Sequence, residues 1–409
     1  MRLLIKLAWR NIWRNKRRSI FTLLAMVFAV YLAIAQRGLQ IGTYNLNIQN
    51  IVELYSGYLQ IQTKNYNDNP SINENFQLTE SQITKIKSIP EITGFSKRVT
   101  AESLIYFGET ARGAGIIGID PAMEDKVTVL IKGLNKGSFF EGTNSEEIVI
   151  GDQLLKNLGA NIGDRTLIMI QGLDGQVRTR YFKIAGTLKI GIPEIESSMI
   201  FMPIKTAQNF LGLNENINVV SMKIDQLYHS DRVKKKLEKL FKEDGLNVLT
   251  WGELNPETKQ AIAIDNVSGL MILVILFIIV AFGILNTVLM SISERFREFG
   301  VVLAVGMPNI SLVYLIFLET IFLSFAGLVI GNLLGYLTNY YLVQNPISLG
   351  AEAQQLTEFY HFLPQMTSTL QPSIFLHVSL SVFVISIVAC FYPAYKVYKL
   401  EPLKGIRHT

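Results

Sequence analysis

The chain has 409 residues, of which 49% are hydrophobic and 17% charged, and its mean hydropathy of +0.29 is too apolar for an ordinary water-soluble protein and points to a membrane. Its 38 Lys/Arg and 33 Asp/Glu, a net charge of +5, must sit mostly outside hydrocarbon, so at least one sizeable polar domain accompanies the spans. One cysteine, Cys390, excludes an internal disulfide framework and a cysteine-based zinc site, and His229, His361, His377 and His408 are too scattered to suggest a metal cluster.

Residues 1–18 hold Arg2, Lys6, Arg10, Arg14, Lys16, Arg17 and Arg18 and no acid. Leu3, Leu7, Trp9, Ile12 and Trp13 lie among them, which predicts an amphipathic basic helix on the membrane surface. A span needs about 20 apolar residues to cross roughly 30 Å of hydrocarbon. Four segments qualify, at 19–39, 267–289, 310–343 and 373–395. The first ends near Ala33-Ile34-Ala35, a cleavage-like sequence, but its apolar run exceeds the roughly 7–15 residues of a signal-peptide core and reads as a retained span.

Lys/Arg placement sets the expected orientation. The basic N-terminus and the tail at 396–409, with Lys396, Lys399, Lys404 and Arg407, belong in the cytoplasm, as does the 290–309 connector. The loop at 344–372 carries Glu352 and Glu358 without Lys or Arg and belongs outside, with the polar stretch 40–266. The positive surplus therefore records topology, and no nucleic-acid partner is expected. The fold class is a membrane α-helical bundle of four spans with an extracytoplasmic α+β domain inserted between spans 1 and 2.

Within that domain, Tyr58 to Gln62, Phe95 to Phe107, Ile116 to Ile119 and Glu147 to Ile150 read as strands. Thr79-x-x-Gln82 opens a helix as a capping box, with Pro90 beyond its end. A second helix is expected from Asp152 to Leu158 and a third from Asp231 to Glu243, whose lysines read as a solvated face. Thr166 to Gln171 and Val177 to Ile184 form a hairpin turning at Asp174-Gly175. No proline interrupts Ile41 to Leu54, and Pro256 can start a helix running into the second span, so both spans are expected to continue outside as a stalk.

Chemical motifs are missing. Gly113-Ala114-Gly115-Ile116-Ile117-Gly118 satisfies the dinucleotide pattern, but β-type residues follow it where a helix is required. Gly133 to Gly137 lacks the Gly-Lys-Ser/Thr ending of a phosphate-binding loop. There is no nucleophile elbow and no paired-histidine zinc helix, so no catalytic residue and no metal site are expected in this chain.

Between spans 2 and 3, Glu294, Arg295, Arg297 and Glu298 crowd beside an apolar stretch containing Phe299, Gly300 and Ala304, until Gly306 and Pro308 break it. A short charged helix held between two spans reads either as an interfacial connector or as a handle for a cytoplasmic motor. Gly327, Gly331 and Gly335, four apart, let helix backbones approach closely. Glu319 is costly in hydrocarbon and should face protein, water or the interface, bonding a neighbouring helix.

The segment from Glu294 to Gly306, the run Gly327-x-x-x-Gly331-x-x-x-Gly335 after Glu319, Pro393-Ala394 with Pro402, and Trp9-Arg10-Asn11-Ile12-Trp13-Arg14 together resemble the FtsX-like permease superfamily of ABC transporters. Ser56 to Gln62, Gly118-Ile119-Asp120-Pro121 and Gly151-x-x-Leu154 to Gly163-Asp164 are most similar to lipoprotein-releasing permeases. The resemblance implies a bacterial inner-membrane subunit with cytoplasmic termini and a periplasmic domain, paired with a second permease copy or paralogue and an ATPase dimer. That dimer would hold ATP and Mg, this chain would bind neither, and Glu294 to Gly306 would be the coupling helix.

Lipoprotein, or another lipidic substrate of the outer leaflet, would be extracted, with membrane lipids as neighbours. Val30, Ile34, Leu39, Ile264, Leu270 and Leu273, on apolar faces of the first and second spans, read equally as lipid contacts or as plain helix packing. Relatives that hand lipoproteins to a periplasmic chaperone can carry a longer, proline-containing hook in the hairpin. The tight turn at Gln171 to Gln176 departs from that pattern, so a different subunit would recruit any chaperone. Two other readings stay open: an ATP-driven regulator of a periplasmic hydrolase or signalling partner, and a drug or peptide efflux permease.

Overall fold

The computed structural model describes residues 2–191, 193–242, 244–349 and 365–400. Glu243, Glu352, Glu358, His361, Pro402, Lys404, Arg407 and His408 lie outside the described residues. In chain order, α1 (Arg2–Arg14) and α2 (Lys16–Ile51) lead through a π-helical turn, Val52–Ser56, to β1 (Leu59–Thr63). Then come α3 (Glu80–Lys87), β2 (Ile92–Phe107), β3 (Thr110–Ile119), α4 (Pro121–Glu124), β4 (Leu134–Gly137), β5 (Glu147–Gly151) and α5 (Asp152–Leu158). β6 (Arg165–Gln171), β7 (Val177–Leu188), α6 (Pro193–Ser198), β8 (Met199–Pro203), α7 (Ile204–Leu211), β9 (Val219–Ile224), α8 (Ser230–Leu240), β10 (Leu246–Thr250) and α9 (Trp251–Leu254) follow. The chain continues through α10 (Pro256–Glu294), α11 (Phe296–Ala304), α12 (Asn309–Gln344), the short strands β11 (Ile347–Ser348) and β12 (Gln365–Met366), and α13 (Pro372–Tyr398).

Two compact units result, and the described part of one is Leu46–Ala261. Its sheet runs β10-β1-β9-β2-β3-β8-β5-β7-β4, with β6 pairing both β2 and β7. The glycine-rich run Gly113 to Gly118 lies inside β3, antiparallel to β2 and parallel to β8, so it is strand throughout and no helix opens within it to receive a pyrophosphate. Thr79 caps α3 with both bonds of the capping box in place. The hairpin loop closes with Gly172 N–H donating to Gln176 O at 2.9 Å. α8 stops at Leu240, short of the expected Glu243. β8 and β9 are buried on both faces and so lack the alternation that marks a strand in sequence.

An ion pair is sealed inside this unit. Arg98 on β2 donates to both carboxylate oxygens of Glu124, at 2.5 and 3.1 Å, and to Tyr55 O at 2.6 Å, while the Thr128 hydroxyl donates to Glu124 at 2.6 Å. Burial alone would raise the Glu124 pKa; the Arg98 charge and the bonds from Arg98 and Thr128 outweigh it and hold the carboxyl below its ordinary value.

The other unit is helical, drawn from residues within Met1–Asn45, Ile262–Leu349 and Gln365–Thr409. Four of its helices, α2, α10, α12 and α13, are long and apolar enough to cross a membrane. They exceed the expected spans: the helix containing 19–39 runs Lys16–Ile51, and that containing 267–289 runs Pro256–Glu294. α2 and α12 run parallel along a seam of small residues. A Cβ at Gly327, Gly331 or Gly335 would come within 2.7 Å of Met26, Val30 or Ile34, which lie at the same four-residue spacing on α2. The seam continues one turn further with the roles exchanged, Gly38 on α2 facing Asn339 on α12, whose side chain donates to Ile34 O at 3.2 Å.

α13 packs antiparallel on α12 through Ser324 to Ser386 at 2.8 Å, Asn332 to Ser379 at 2.8 Å and Thr320 to Cys390 at 3.3 Å. α2 meets α10 through polar groups, Arg37 to Asn266 at 2.9 Å and Gln40 to Asp265 O at 2.9 Å.

For three of the six residues read as lipid contacts or plain packing, the structure shows packing. Val30, Ile34 and Leu273 share one buried cluster with Ile374, Val378 and Val382, because the α12 glycines admit the α2 side chains. Leu39 is half-buried, and only Ile264 and Leu270 are exposed.

Removing one member of a buried ion pair strands the other. Glu124→Ala should destabilise the α+β unit by about 3–5 kcal/mol, readable by chemical denaturation. Because the folded-state pKa of Glu124 is depressed, its contribution is complete above the ordinary carboxylate value and is lost as pH falls through the lower folded value. The stability difference between wild type and Glu124→Gln should therefore shrink on acidification below about pH 4.

Candidate coupling site on the short helix between spans

α10 ends at Glu294, and α11 starts at Phe296; Arg295 between them has φ −104 and ψ 10, outside helical geometry. Arg295 caps α11 with its carbonyl, which accepts from Phe299 N–H at 2.9 Å, while its side chain turns inward. At the other end Gly306 takes φ 105, Gly306 N–H donates to Leu303 O at 3.0 Å, and Met307 N–H to Val302 O at 3.2 Å. These are the two bonds of a Schellman cap, and Met307 and Val302 both pack against the same apolar core. Pro308 then caps α12. Within the 290–309 connector, where Glu294 to Gly306 is the expected coupling helix, the free-standing helix is the nine residues Phe296–Ala304, with a helix break in the middle of the charged cluster.

The break exists because Arg295 is committed elsewhere. It is 5% exposed, and its Nη1 donates to Glu319 Oε1 at 2.9 Å and Oε2 at 3.3 Å. Glu319, 8% exposed on α12, also accepts from Asn11 Nδ2 of α1 at 2.8 Å. The Arg295 guanidinium lies 4.9 Å from the Phe299 ring centre. Two outer pairs flank this buried triad. Arg14 Nη2 donates to Glu298 Oε1 at 2.7 Å and also contacts its second oxygen, and Arg18 Nη1 sits 3.4 Å from Glu294 Oε2. Burial would raise the Glu298 carboxyl, but the Arg14 bond and the Arg14 and Arg295 charges hold it below its ordinary value. Beneath the charges, Ala8 of α1, Phe299 and Leu303 of α11, Leu312 and Ile316 of α12, and Cys390 and Val397 of α13 share one core.

The residues read as coupling contacts therefore divide. Glu294, Arg297, Glu298, Ala304 and Gly306 are exposed, Glu294 and Glu298 while paired with Arg18 and Arg14. Arg295, Phe299 and Gly300 are buried and pack the helix against its neighbours, so they do not face outward as the other five do. Gly327, Gly331 and Gly335 form the α2–α12 seam, and Glu319 lies eight residues before it. Asn11, Arg14 and Arg18 were not read as partners of this site; the signal was a polar residue, Asn11, at a position spaced from Ala8 so as to share its buried face. Among the described residues no group of His, Cys, Asp and Glu is placed to hold a metal ion.

A multi-span helical membrane unit, a large α+β insertion after the first span and a short ion-paired helix between the second and third together make the architecture of a membrane permease. A model of the FtsX-like permease C-terminal region matches residues 270–402, and one of MacB-like periplasmic core domains matches residues 19–240. The chain belongs to the family of FtsX-like permeases with a MacB-like periplasmic core, the membrane subunits of ABC transporters.

It is similar to the lipoprotein-releasing system transmembrane protein LolC of Neisseria meningitidis serogroup B, 22% identical over 76% of this chain and 77% of that one. It is likewise similar to the uncharacterized ABC transporter permease MJ1507 of Methanocaldococcus jannaschii, 22% identical over 99% and 97%. The macrolide export ATP-binding/permease protein MacB of Acinetobacter baylyi is 22% identical over 78% of this chain, which spans about half of that relative (49%). Among solved structures, the periplasmic region of MacB from Actinobacillus actinomycetemcomitans aligns with 52% of this chain and 96% of its own at 14% identity and a TM-score of 0.36.

Arg295→Met should leave Glu319 buried and short of its partner, at a cost of about 3–5 kcal/mol; Glu319→Leu should cost a similar amount by stranding Arg295. The double variant should lose markedly less than the sum of the two, a coupling that denaturation of the detergent-solubilised protein would measure.

Proposed function

We propose that the chain is the membrane subunit of a transporter whose separate ATPase dimer, which holds ATP and Mg, grips the exposed face of α11 and drives the release of lipoprotein or another lipidic substrate from the outer leaflet of a bacterial inner membrane. In this reading both termini are cytoplasmic, the α+β unit is periplasmic, and a second permease copy or paralogue completes the bundle. The observation that carries it is the junction at α11: one short helix is joined by charged bonds to α1 through Glu298 and to α12 through Arg295 and Glu319. A push on α11 therefore reaches α1 and the third span, α12, through bonds and packed side chains rather than through a flexible loop.

The exposed side of α11 suits a protein partner. Arg297 and Glu298 stand beside Val301 and Val305, the latter 84% exposed, so charge and apolar surface are available together. Similarity to LolC favours a lipidated protein as substrate, and the chain's own Ile264 and Leu270 remain exposed as lipid-facing residues of α10.

With the ATPase subunit co-purified, Arg297→Glu combined with Val301→Asp should weaken its docking by about 2 kcal/mol, roughly thirtyfold, and reduce lipoprotein release in proportion. The same pair should leave the helical content and unfolding midpoint unchanged. Normal docking and release in that variant would remove α11 as the coupling element. Lost docking without any lipoprotein release by the wild-type complex would keep the coupling and reject the substrate.

A further inference from the structure

Away from the ion-paired junction, α1, α2 and α12 enclose a groove of about 210 Å³. Trp9 and Trp13 of α1, Ile20 and Leu23 of α2, and Phe322 of α12 form its apolar walls, and Trp9 stands edge-on to Phe322 with ring centres 6.0 Å apart. Measured along α2 from Lys16 to Leu23, the groove extends about 10 Å at 1.5 Å per residue. It is smaller than the roughly 300 Å³ at which sites for compact drug-sized molecules begin, and it suits a single hydrocarbon chain.

Its polar fittings sit at one end. Of its two polar side chains, Ser19 already donates to Ile12 O at 2.9 Å, which leaves the Lys16 ammonium, 6.0 Å from the Trp13 ring centre. Lys16 is exposed and makes no ion pair among the described residues; the same holds for Arg10 and Arg17. The two neighbouring carboxylates that could neutralise this region, Glu298 and Glu294, are bound to Arg14 and Arg18. The mouth of an apolar slot in a membrane protein therefore carries unspent positive charge, the pattern that matches an acyl chain ending in an anionic headgroup.

We propose that this groove binds one acyl chain of an anionic phospholipid from the leaflet on the α1 side, with the lipid phosphate on Lys16. The lipid touches α1 and α12 together, so it stabilises the docked position of α1, the position in which Asn11 meets Glu319 and Arg14 meets Glu298. The groove thus becomes a ligand site that sets the strength of the junction and is separate from any transported substrate.

The chain's three tryptophans make the test direct, since Trp9 and Trp13 line the groove and Trp251 is the third. The full-length Trp251→Phe protein is reconstituted in phosphatidylcholine vesicles, and phosphatidylglycerol or phosphatidylcholine with brominated acyl chains is titrated in as a contact quencher. Quenching by the brominated phosphatidylglycerol should saturate at a mole fraction at least severalfold lower than quenching by brominated phosphatidylcholine. Lys16→Gln should remove most of that preference, and Ala326→Phe, which fills the groove, should remove the saturable component for both lipids. Equal quenching by the two lipids in the unsubstituted groove would overturn the proposal without recourse to either variant. So would a preference that survives both substitutions.

Discussion

A carboxylate on a span must find partners, and Glu319 is the constraint on which the helical unit is built. An ionised group in or near hydrocarbon is tolerated only when paired and hydrogen-bonded. Glu319 is satisfied by two groups from other elements, Asn11 on α1 and Arg295 at the end of α10. Reaching it requires Arg295 to leave helical geometry, and that single non-helical residue ends α10 and starts α11. The short helix is therefore a consequence of the ion pair, and its orientation is set by a buried contact rather than by its own surface charges. With Arg295 and Phe299 turned inward, Arg297, Glu298 and Val301 are left facing out.

The glycine seam supplies the second half of the architecture. Gly327, Gly331 and Gly335 bring α12 close enough to α2 for Met26, Val30 and Ile34 to occupy the space their side chains would have taken. Without a hydrophobic force between helices in lipid, such close packing and a few polar bonds hold a bundle together. The same seam gives α2 and α12 a common direction, as first and third crossings require, while Ser324 to Ser386 and Asn332 to Ser379 fasten the antiparallel α13. Glu319 lies two turns before the seam on α12, so the ion-paired junction and the close helix packing are consecutive parts of one element.

Much of this was legible in residue order. Four spans followed from apolar length, the glycine face from its spacing, and the charged connector from its crowded acids and bases. Side-chain direction was not legible. Glu294, Arg295, Arg297 and Glu298 look alike in sequence, yet one of the four is buried, because only its position at the break can reach Glu319. Val30, Ile34 and Leu273 read equally as lipid contacts or as packing, since a helix that is apolar all round does not disclose which face meets protein. In the α+β unit, the hairpin and the capped α3 announced themselves through turn and cap residues. β8 and β9 did not, since strands buried on both faces carry no alternating pattern.

The buried pair and the outer pairs have different work. Arg14 and Glu298 are half exposed, where an ion pair contributes about 1 kcal/mol or less, so that contact is readily broken and remade. Arg295 and Glu319 are enclosed and act as a fixed pivot. The most direct measurement of that arrangement is amide hydrogen exchange by mass spectrometry on the full chain, wild type against Glu319→Leu, followed peptide by peptide. If Glu319 holds α11 in place, exchange should rise in Phe296–Ala304 and in Arg2–Arg14 while Leu46–Ala261 keeps its protection. Unchanged protection of α11 and α1 in Glu319→Leu would contradict the account, because the short helix would then owe its position to something other than the buried carboxylate.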